Sequence, residues 1–389
     1  MGEHSAVNAA GTADVAPGEL IIEAPAAGAD GAIRLAARLY TGNADPVRLW
    51  FEVPETLQDR LLPGAAPFVI GMIFTIMRAG RPVRVRGAVP PSLLKNVDEF
   101  MAVWHAWHPD LYHRVDIVAD TEIEEPRRPA APAVSGFSGG LDSCYTAWWH
   151  HRGRAGRQRE NLRAGVFVRG FDIPLSDVDG FARALRNNRQ ILDSVGMEVL
   201  PLATNFREQP IDWENSHASG LAACMALFRG RYATGLVAST FTYDVLGIKW
   251  GSTPLTDRLF SSDSFAVRND AADVDRLAKV RFLADWPEAM RHMRVCWEGR
   301  ARDANCCRCE KCIRTILAFR IVGCPQPPCF PHSVADDQIR SLRPNQPVAA
   351  AALCNLLGHA RAAGLENASW VKALAAATES FSPGLTPSP

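Results

Sequence analysis

The segment GFSGGLDSCYTAWW, residues 136–149, sets two serines, two glycines and an aspartate where a short apolar run, AVSGF, gives way to a helical pattern. Gly139 and Gly140 lack a β-carbon, so the backbone there can approach a ligand closely and adopt positive φ. The amides of such a turn, the hydroxyls of Ser138 and Ser143, and the positive end of the helix that follows together favour a phosphate group. The stretch is not the usual mononucleotide loop, because no Gly-Lys-Ser/Thr follows, and not a dinucleotide fingerprint, because Gly-x-Gly-x-x-Gly is absent. A plain strand-to-helix turn capped by Ser138 uses similar residues, but Ser-Gly-Gly-x-Asp-Ser at a βα junction is far more specific than a lone cap. Cys144 and Trp148, just beyond, read as helix packing.

A second cluster lies late in the chain, where seven of the ten cysteines fall between Cys296 and Cys329. Cys306, Cys309 and Cys312 form two overlapping Cys-x-x-Cys units, and Cys296 precedes them by nine intervening residues. Thiolates so spaced can close on one tetrahedral zinc, and four sulfurs leave no open position, so the zinc would be structural. Cys307 reads as a bystander or as a substitute for Cys306. Unligated thiols or an iron–sulfur cluster are the rival readings of the same residues.

The elements that must position these groups follow from apolar periodicity. After a loose tail over 1–16, GELIIEA, IRLAARLY and VRLWFEVP read as strands, 65–78 and 92–107 as helices, and RVDIVA as a closing strand, giving an α+β accessory domain over 17–125. TEIEEPRRPAAPA, residues 121–133, reads as a linker. Strand and helix then alternate: AVSGF, a helix from Asp142 to His151, AGVFVRG, a helix from Asp177 to Val195 ended by Gly196, MEVLPLAT, a helix from His217 to Arg229, and TGLVAST. This rhythm predicts an α/β domain with a parallel sheet covered on both faces, over 131–290, with ligands met beyond the carboxyl ends of its strands. A cysteine segment (291–330), a helical segment (331–380) and a Pro/Ser-rich tail complete the chain.

The Ser-Gly-Gly turn resembles the pyrophosphate-binding loop of the PP-loop ATP pyrophosphatases, the adenine nucleotide alpha-hydrolase-like superfamily, over about residues 131–325. The resemblance implies a Rossmann-like nucleotide domain that cleaves ATP between the α- and β-phosphates and places AMP on a substrate oxygen. It assigns Ser138, Gly139, Gly140, Leu141, Asp142 and Ser143 to pyrophosphate, with Asp142 ordering the loop or holding Mg²⁺, and makes Phe171 and Asp172 candidates for the adenosine, a capped loop with Phe171 in the core being the other reading. The late basic residue of these enzymes would be Arg276 or Lys279, which share one helix face. Loop and cysteines together resemble 7-cyano-7-deazaguanine synthase-like proteins, which adenylate a carboxylate, form an amide and dehydrate it to a nitrile. This chain differs in carrying over 130 residues ahead of the loop and one more residue between the first two cysteine ligands.

Between the two motifs, Asn205, Arg207 and His217 stand near a third strand end, where an acyl or nucleotide group would be met. Lys249 and Asp257 lie in YDVLGIKWGSTPLTDRLFSS, a substrate-facing or solvated loop that would place them on substrate or metal. The leading expectation is an ATP-dependent ligase, with Mg²⁺ on the phosphates, that activates a carboxylate or amide-like oxygen of a small molecule for nitrogen. A sulfur transferase would need a carrier thiol among Cys144, Cys224 and Cys307. A nucleotide-binding module without turnover is the third reading.

The 42 basic and 42 acidic residues cancel, so no global charge draws the 389-residue chain to nucleic acid or to anionic membranes. With no leader pattern and no apolar window of membrane-span length, a cytoplasmic protein is expected. The N-terminal domain would bind the acceptor, a carrier or a partner protein. Apolar helix faces in the last 60 residues would support a homodimer.

Overall fold

The computed structural model describes residues 16–42, 45–245, 247–296, 298–344, 347–379 and 381. The tails read from the sequence lie outside these, apart from Ala16 and Phe381. The N-terminal half runs β1 (Gly18–Ile22), β2 (Ala26–Ala27), β3 (Ala32–Tyr40), β4 (Val47–Pro54), α1 (Ala66–Ala79), β5 (Val83–Val89), α2 (Pro91–Trp107) and β6 (Ile117–Glu122). There follow β7 (Ala133–Gly136), α3 (Leu141–His151), β8 (Leu162–Arg169), α4 (Val178–Asp193), β9 (Glu198–Thr204), α5 (Trp213–Ala226), β10 (Thr234–Ala238) and β11 (Ala266–Asp270). The chain closes with α6 (Arg276–Leu283), α7 (Pro287–His292), α8 (Glu310–Ile321), α9 (Asp336–Arg340), α10 (Pro347–Ala362) and α11 (Ser369–Glu379).

These strands form an α/β fold around one largely parallel sheet, ordered β11-β10-β7-β8-β9-β4-β3-β1-β5-β6, with β2 paired to β3. From β9 to β11 every pairing is parallel. A strand such as β8, covered on both faces, must be apolar nearly throughout, and LRAGVFVR is. The order β9-β8-β7-β10-β11 reverses the chain's progression beside β7. At such a reversal the connections leave for opposite faces and open a crevice at the carboxyl ends.

The N-terminal half joins this sheet directly. β4 runs antiparallel to β9, with Phe51 opposite Thr204 and Glu52 opposite Ala203. Helices α1, α2 and α5 line one face under both halves and share a single apolar core. Helix α1 is buried along almost its whole length and apolar all round, as a helix enclosed on every side must be. Its Gly71 lies so close to its neighbours that an added β-carbon would stand 2.8 Å from Leu49 Cδ2 and 3.2 Å from Ala223 Cβ on α5.

Among the described residues the opposite face is covered only over the parallel half, where α3, α4 and α6–α11 enclose a second core. Over β4, β3, β1 and β5 that face carries arginines and carboxylates. Strand β5, VRVRGAV, which the sequence reading does not include, alternates Val83 and Val85 inward with Arg84 and Arg86 outward. Among the described residues no helix is long and apolar enough to cross a membrane.

Candidate functional site

The loop from Phe137 to Gly140 leaves the carboxyl end of β7 at the reversal and opens α3. Gly139 sits at φ +72°, and a β-carbon there would collide with Asn188 Oδ1 of α4. Only glycine fits both the conformation and the approach. Ser138 does not cap the helix: its Oγ accepts from Gly140 N at 3.2 Å and lies 3.4 Å from Ser143 Oγ. Gly140 is the N-cap of α3 and supplies no side chain, so the first-turn amides keep their donors for a ligand.

Around this loop the charge is strongly positive. Lys279 on α6, 2 % exposed, donates to Asp142 Oδ1 at 3.0 Å and to Ser239 O, just past β10, at 2.6 Å. It therefore spans the crevice between β7 and β10. Burial opposes ionisation of Asp142, but the charges of Lys279 and Arg276, the Lys279 hydrogen bond and Lys311 outweigh it and hold the carboxyl below its ordinary range. Arg276 Nη2 donates to Thr315 Oγ1 at 2.7 Å. Burial, with neighbouring Arg314, lowers the Arg276 guanidinium to about 10.

Arg294 is 6 % exposed. Its backbone N–H donates to Gly139 O at 2.8 Å, and its Nη2 stands 3.6 Å from Asp172 Oδ2. Several buried donors in this region have no acceptor among the described residues: Asn188 Nδ2, Arg276 Nε and Arg294 Nε. Buried donors are nearly always paired, so three such groups around one glycine loop point to a ligand rich in acceptors.

The structure thus brings Ser138–Ser143, Asp172, Arg276 and Lys279 to one region. Arg294, Lys311 and Asn188 join them, although the sequence reading does not select them. Arg294 and Lys311 flank the cysteine ligands in sequence, and Asn188 interrupts the buried stripe Ala184, Ile191, Leu192 of α4. Those were the available signals.

The other selected residues are placed differently. Asn205 joins the sheet: its Oδ1 accepts from Trp50 N and its Nδ2 donates to Arg48 O, both at 2.9 Å. Lys249 reaches Trp107 O at 2.7 Å, at the end of α2. Asp257 is fully buried and accepts from Ser252 Oγ, Thr253 N and Asn269 Nδ2, and burial pushes its carboxyl up to about 7. It orders its own loop.

Arg207 donates to Phe171 O at 3.0 Å and lies over Trp213, 4.8 Å from the ring centre. Rings continue from Phe171 through Trp213 (5.0 Å) and His217 (5.9 Å) to Trp250 (5.5 Å) and Phe241 (5.7 Å). Phe171, Arg207 and Phe241 follow the carboxyl ends of β8, β9 and β10. They form an aromatic row on the ligand-facing edge of the sheet.

The sulfurs of Cys296, Cys306, Cys309 and Cys312 lie within 4.8 Å of one another, with Cys296–Cys309 and Cys306–Cys312 each at 3.9 Å. Zinc–thiolate bonds of about 2.3 Å in a tetrahedron require sulfurs about 3.8 Å apart, so the group can hold a metal ion such as zinc. Backbone N–H groups of Gly299, Cys309 and Cys312 point at these sulfurs from 3.3–3.4 Å. Cys307, at φ +57°, turns instead toward Asn305 O and is the bystander. Asn305 ties the segment together, accepting from Val295 N and Cys296 N and donating to Met293 O and Cys329 O.

Compared with known proteins, the chain matches no family model, no curated protein and no solved structure.

Proposed function

We propose that this protein is an ATP-dependent, AMP- and pyrophosphate-forming ligase of the PP-loop type, which adenylates a carboxylate or amide-like oxygen of a small molecule for attack by nitrogen. The observation that carries the reading is the glycine loop at a helix N-terminus, encircled by buried cations and by donors without acceptors. A triphosphate supplies both the charge and the acceptors. The strand order β9-β8-β7-β10-β11, with the loop after its first strand in chain order, suits an adenine nucleotide alpha-hydrolase-like domain.

In this reading the amides of Gly139 and Leu141 and the hydroxyls of Ser138 and Ser143 take the β- and γ-phosphates. Lys279, Arg276 and Arg294 oppose the charge that develops as pyrophosphate departs. Asp142, engaged by Lys279, orients that ammonium and the loop, which leaves the 43 % exposed Asp172 as the freer carboxylate for Mg²⁺ arriving on the phosphates. The aromatic row offers a stacking surface for a flat ring of the nucleotide or acceptor, as a 7-cyano-7-deazaguanine synthase-like reaction would need. Zinc at the four cysteines would be structural, since no coordination position is left for a substrate.

Nitrogen is favoured over sulfur because Cys144, Cys224 and Cys307 are all buried, and burial pushes each thiol up, away from the thiolate. The test is product analysis with Mg-ATP, ammonium and a panel of carboxylates that includes 7-carboxy-7-deazaguanine, with Asp142→Ala run alongside. AMP and pyrophosphate, lost in the variant, are expected. ADP and phosphate would overturn the reading.

A further inference from the structure

The four-cysteine centre and the glycine loop share their supports. On one side the chain passes in three residues from loop contact to metal ligand: Arg294 N binds Gly139 O at 2.8 Å, and Arg294 Nη1 binds Cys296 O at 2.7 Å. Asn305 clamps the same turn through Val295 N at 2.9 Å and Cys296 N at 3.2 Å. On the other side Cys309 caps α8, accepting from Cys312 N at 3.4 Å. One turn later Thr315 Oγ1 donates to Lys311 O and accepts from Arg276 Nη2, each at 2.7 Å. Each metal-bearing segment is therefore tied by hydrogen bonds to a cation that faces the loop.

Between α7 and α8, from residue 293 to 309, the described residues include no helix or strand. The sulfurs at either end of that stretch approach to 3.9 Å, a separation that thiolates tolerate when a cation lies between them. Outer partners of metal ligands orient the ligands and are oriented by them, and here those partners include Arg294, whose buried Nε still has no acceptor.

We propose that the metal centre is a positioning element for the phosphate site: zinc fixes Arg294 and the first turn of α8 against the loop, so that zinc and nucleotide bind with positive coupling. The inference rests on the reading of the loop as a cradle for ATP phosphates. A metal that merely stapled a remote lobe would bind with the same affinity whether or not nucleotide was present.

Coupling between sites is reciprocal, so it is measurable from the metal side in the folded full-length protein. Zinc affinity is measured by competition with a chromogenic chelator, with and without saturating Mg-ATP, in the native chain and in Arg294→Gln. The native chain is expected to hold zinc about 10-fold more tightly with Mg-ATP, and by reciprocity to hold Mg-ATP about 10-fold more tightly with zinc. Arg294→Gln leaves all four sulfurs in place but removes the bond to Cys296 O, so it is expected to hold zinc less tightly than the native chain even without nucleotide, and to show no change in zinc affinity when Mg-ATP is added. Free ATP itself chelates zinc and would draw it away, so tighter retention cannot come from nucleotide in solution. Equal zinc affinity with and without Mg-ATP, in a protein shown by calorimetry to bind Mg-ATP, overturns the coupling and leaves the phosphate reading standing. A zinc-loaded native chain that binds neither Mg-ATP nor inorganic pyrophosphate overturns both.

Discussion

Two sets of arginines, one on the strands of the N-terminal half and one on α6 and the segment after α7 around the glycine loop, are treated in opposite ways. On the open face of the N-terminal half each guanidinium meets a carboxylate: Arg34 with Glu52 at 2.6 Å, Arg38 and Arg48 with Glu23 at 2.8 and 2.7 Å, Arg84 with Asp120 at 2.7 Å, and Arg86 with Glu19 and Asp120. At the glycine loop, Arg276 rests on a threonine hydroxyl and Arg294 on a carbonyl, with Asp172 more distant, and both keep a buried Nε without an acceptor. The first set is partly exposed, where pairing contributes little and is easily arranged. The second set is out of water, where an unmatched cation is costly. Pairing the arginines of the open face while leaving Arg276 and Arg294 short of acceptors is what the proposed phosphate site requires, a counter-charge that arrives from outside.

The sharpest way to break this comparison is to close the loop. Gly139→Ala forces a β-carbon onto Asn188 at φ +72°, and calorimetry is expected to show Mg-ATP affinity reduced at least ~100-fold, with a stability loss of about 1–3 kcal/mol. Unchanged affinity would mean that the loop does not meet the ligand.

Lys279→Met strands the Asp142 carboxylate and is expected to cost about 2–4 kcal/mol in urea unfolding at pH 7. The Asp142 carboxyl is held below its ordinary value in the folded chain. The contribution of its ionised form is therefore present above the unfolded carboxylate pKa and is lost as pH falls through the folded one. The gap between native chain and variant should accordingly shrink in acid.

Arg276→Gln sharpens the contrast, because it removes an underpaired cation: affinity for Mg-ATP is expected to fall about 10-fold, while the ligand-free protein gains up to ~1 kcal/mol in thermal or urea unfolding. Arg48→Ala, from the paired set, is expected to leave nucleotide affinity unchanged and to shift stability by less than about 1 kcal/mol.

Much of this arrangement was legible in the chain because it is written locally. The loop needs consecutive residues 138–143, and the metal ligands fall within seventeen positions, 296–312. Strand and helix periods located most elements of the parallel half. Strand β5 escaped although its Val-Arg alternation is a plain half-buried pattern.

Other features have no local sign. The β4–β9 pairing joins residues 51 and 204, and nothing in either strand records the partner. Asn205 and Lys249 are polar residues in loops near the right strand ends, yet the first hydrogen-bonds the backbone of β4 and the second reaches the end of α2. Residue type told that they would bond, and only topology told to what. Arg294 and Lys311 escaped for the converse reason: the cysteines beside them drew the reading toward metal, and the approach of that segment to Gly139 is a tertiary fact.

The tight seam at Gly71 also bears on how the chain is made. Helix α1 leaves the ribosome early, but the helix that covers its Gly71 side, α5, begins only at Trp213, more than a hundred residues after α2 ends at Trp107. At ordinary synthesis rates of 5–20 residues per second that interval lasts roughly 5–20 s. Throughout it the nascent N-terminal half presents an unfinished greasy flank and the bare β4 edge, both of which the later half must reach before another protein does.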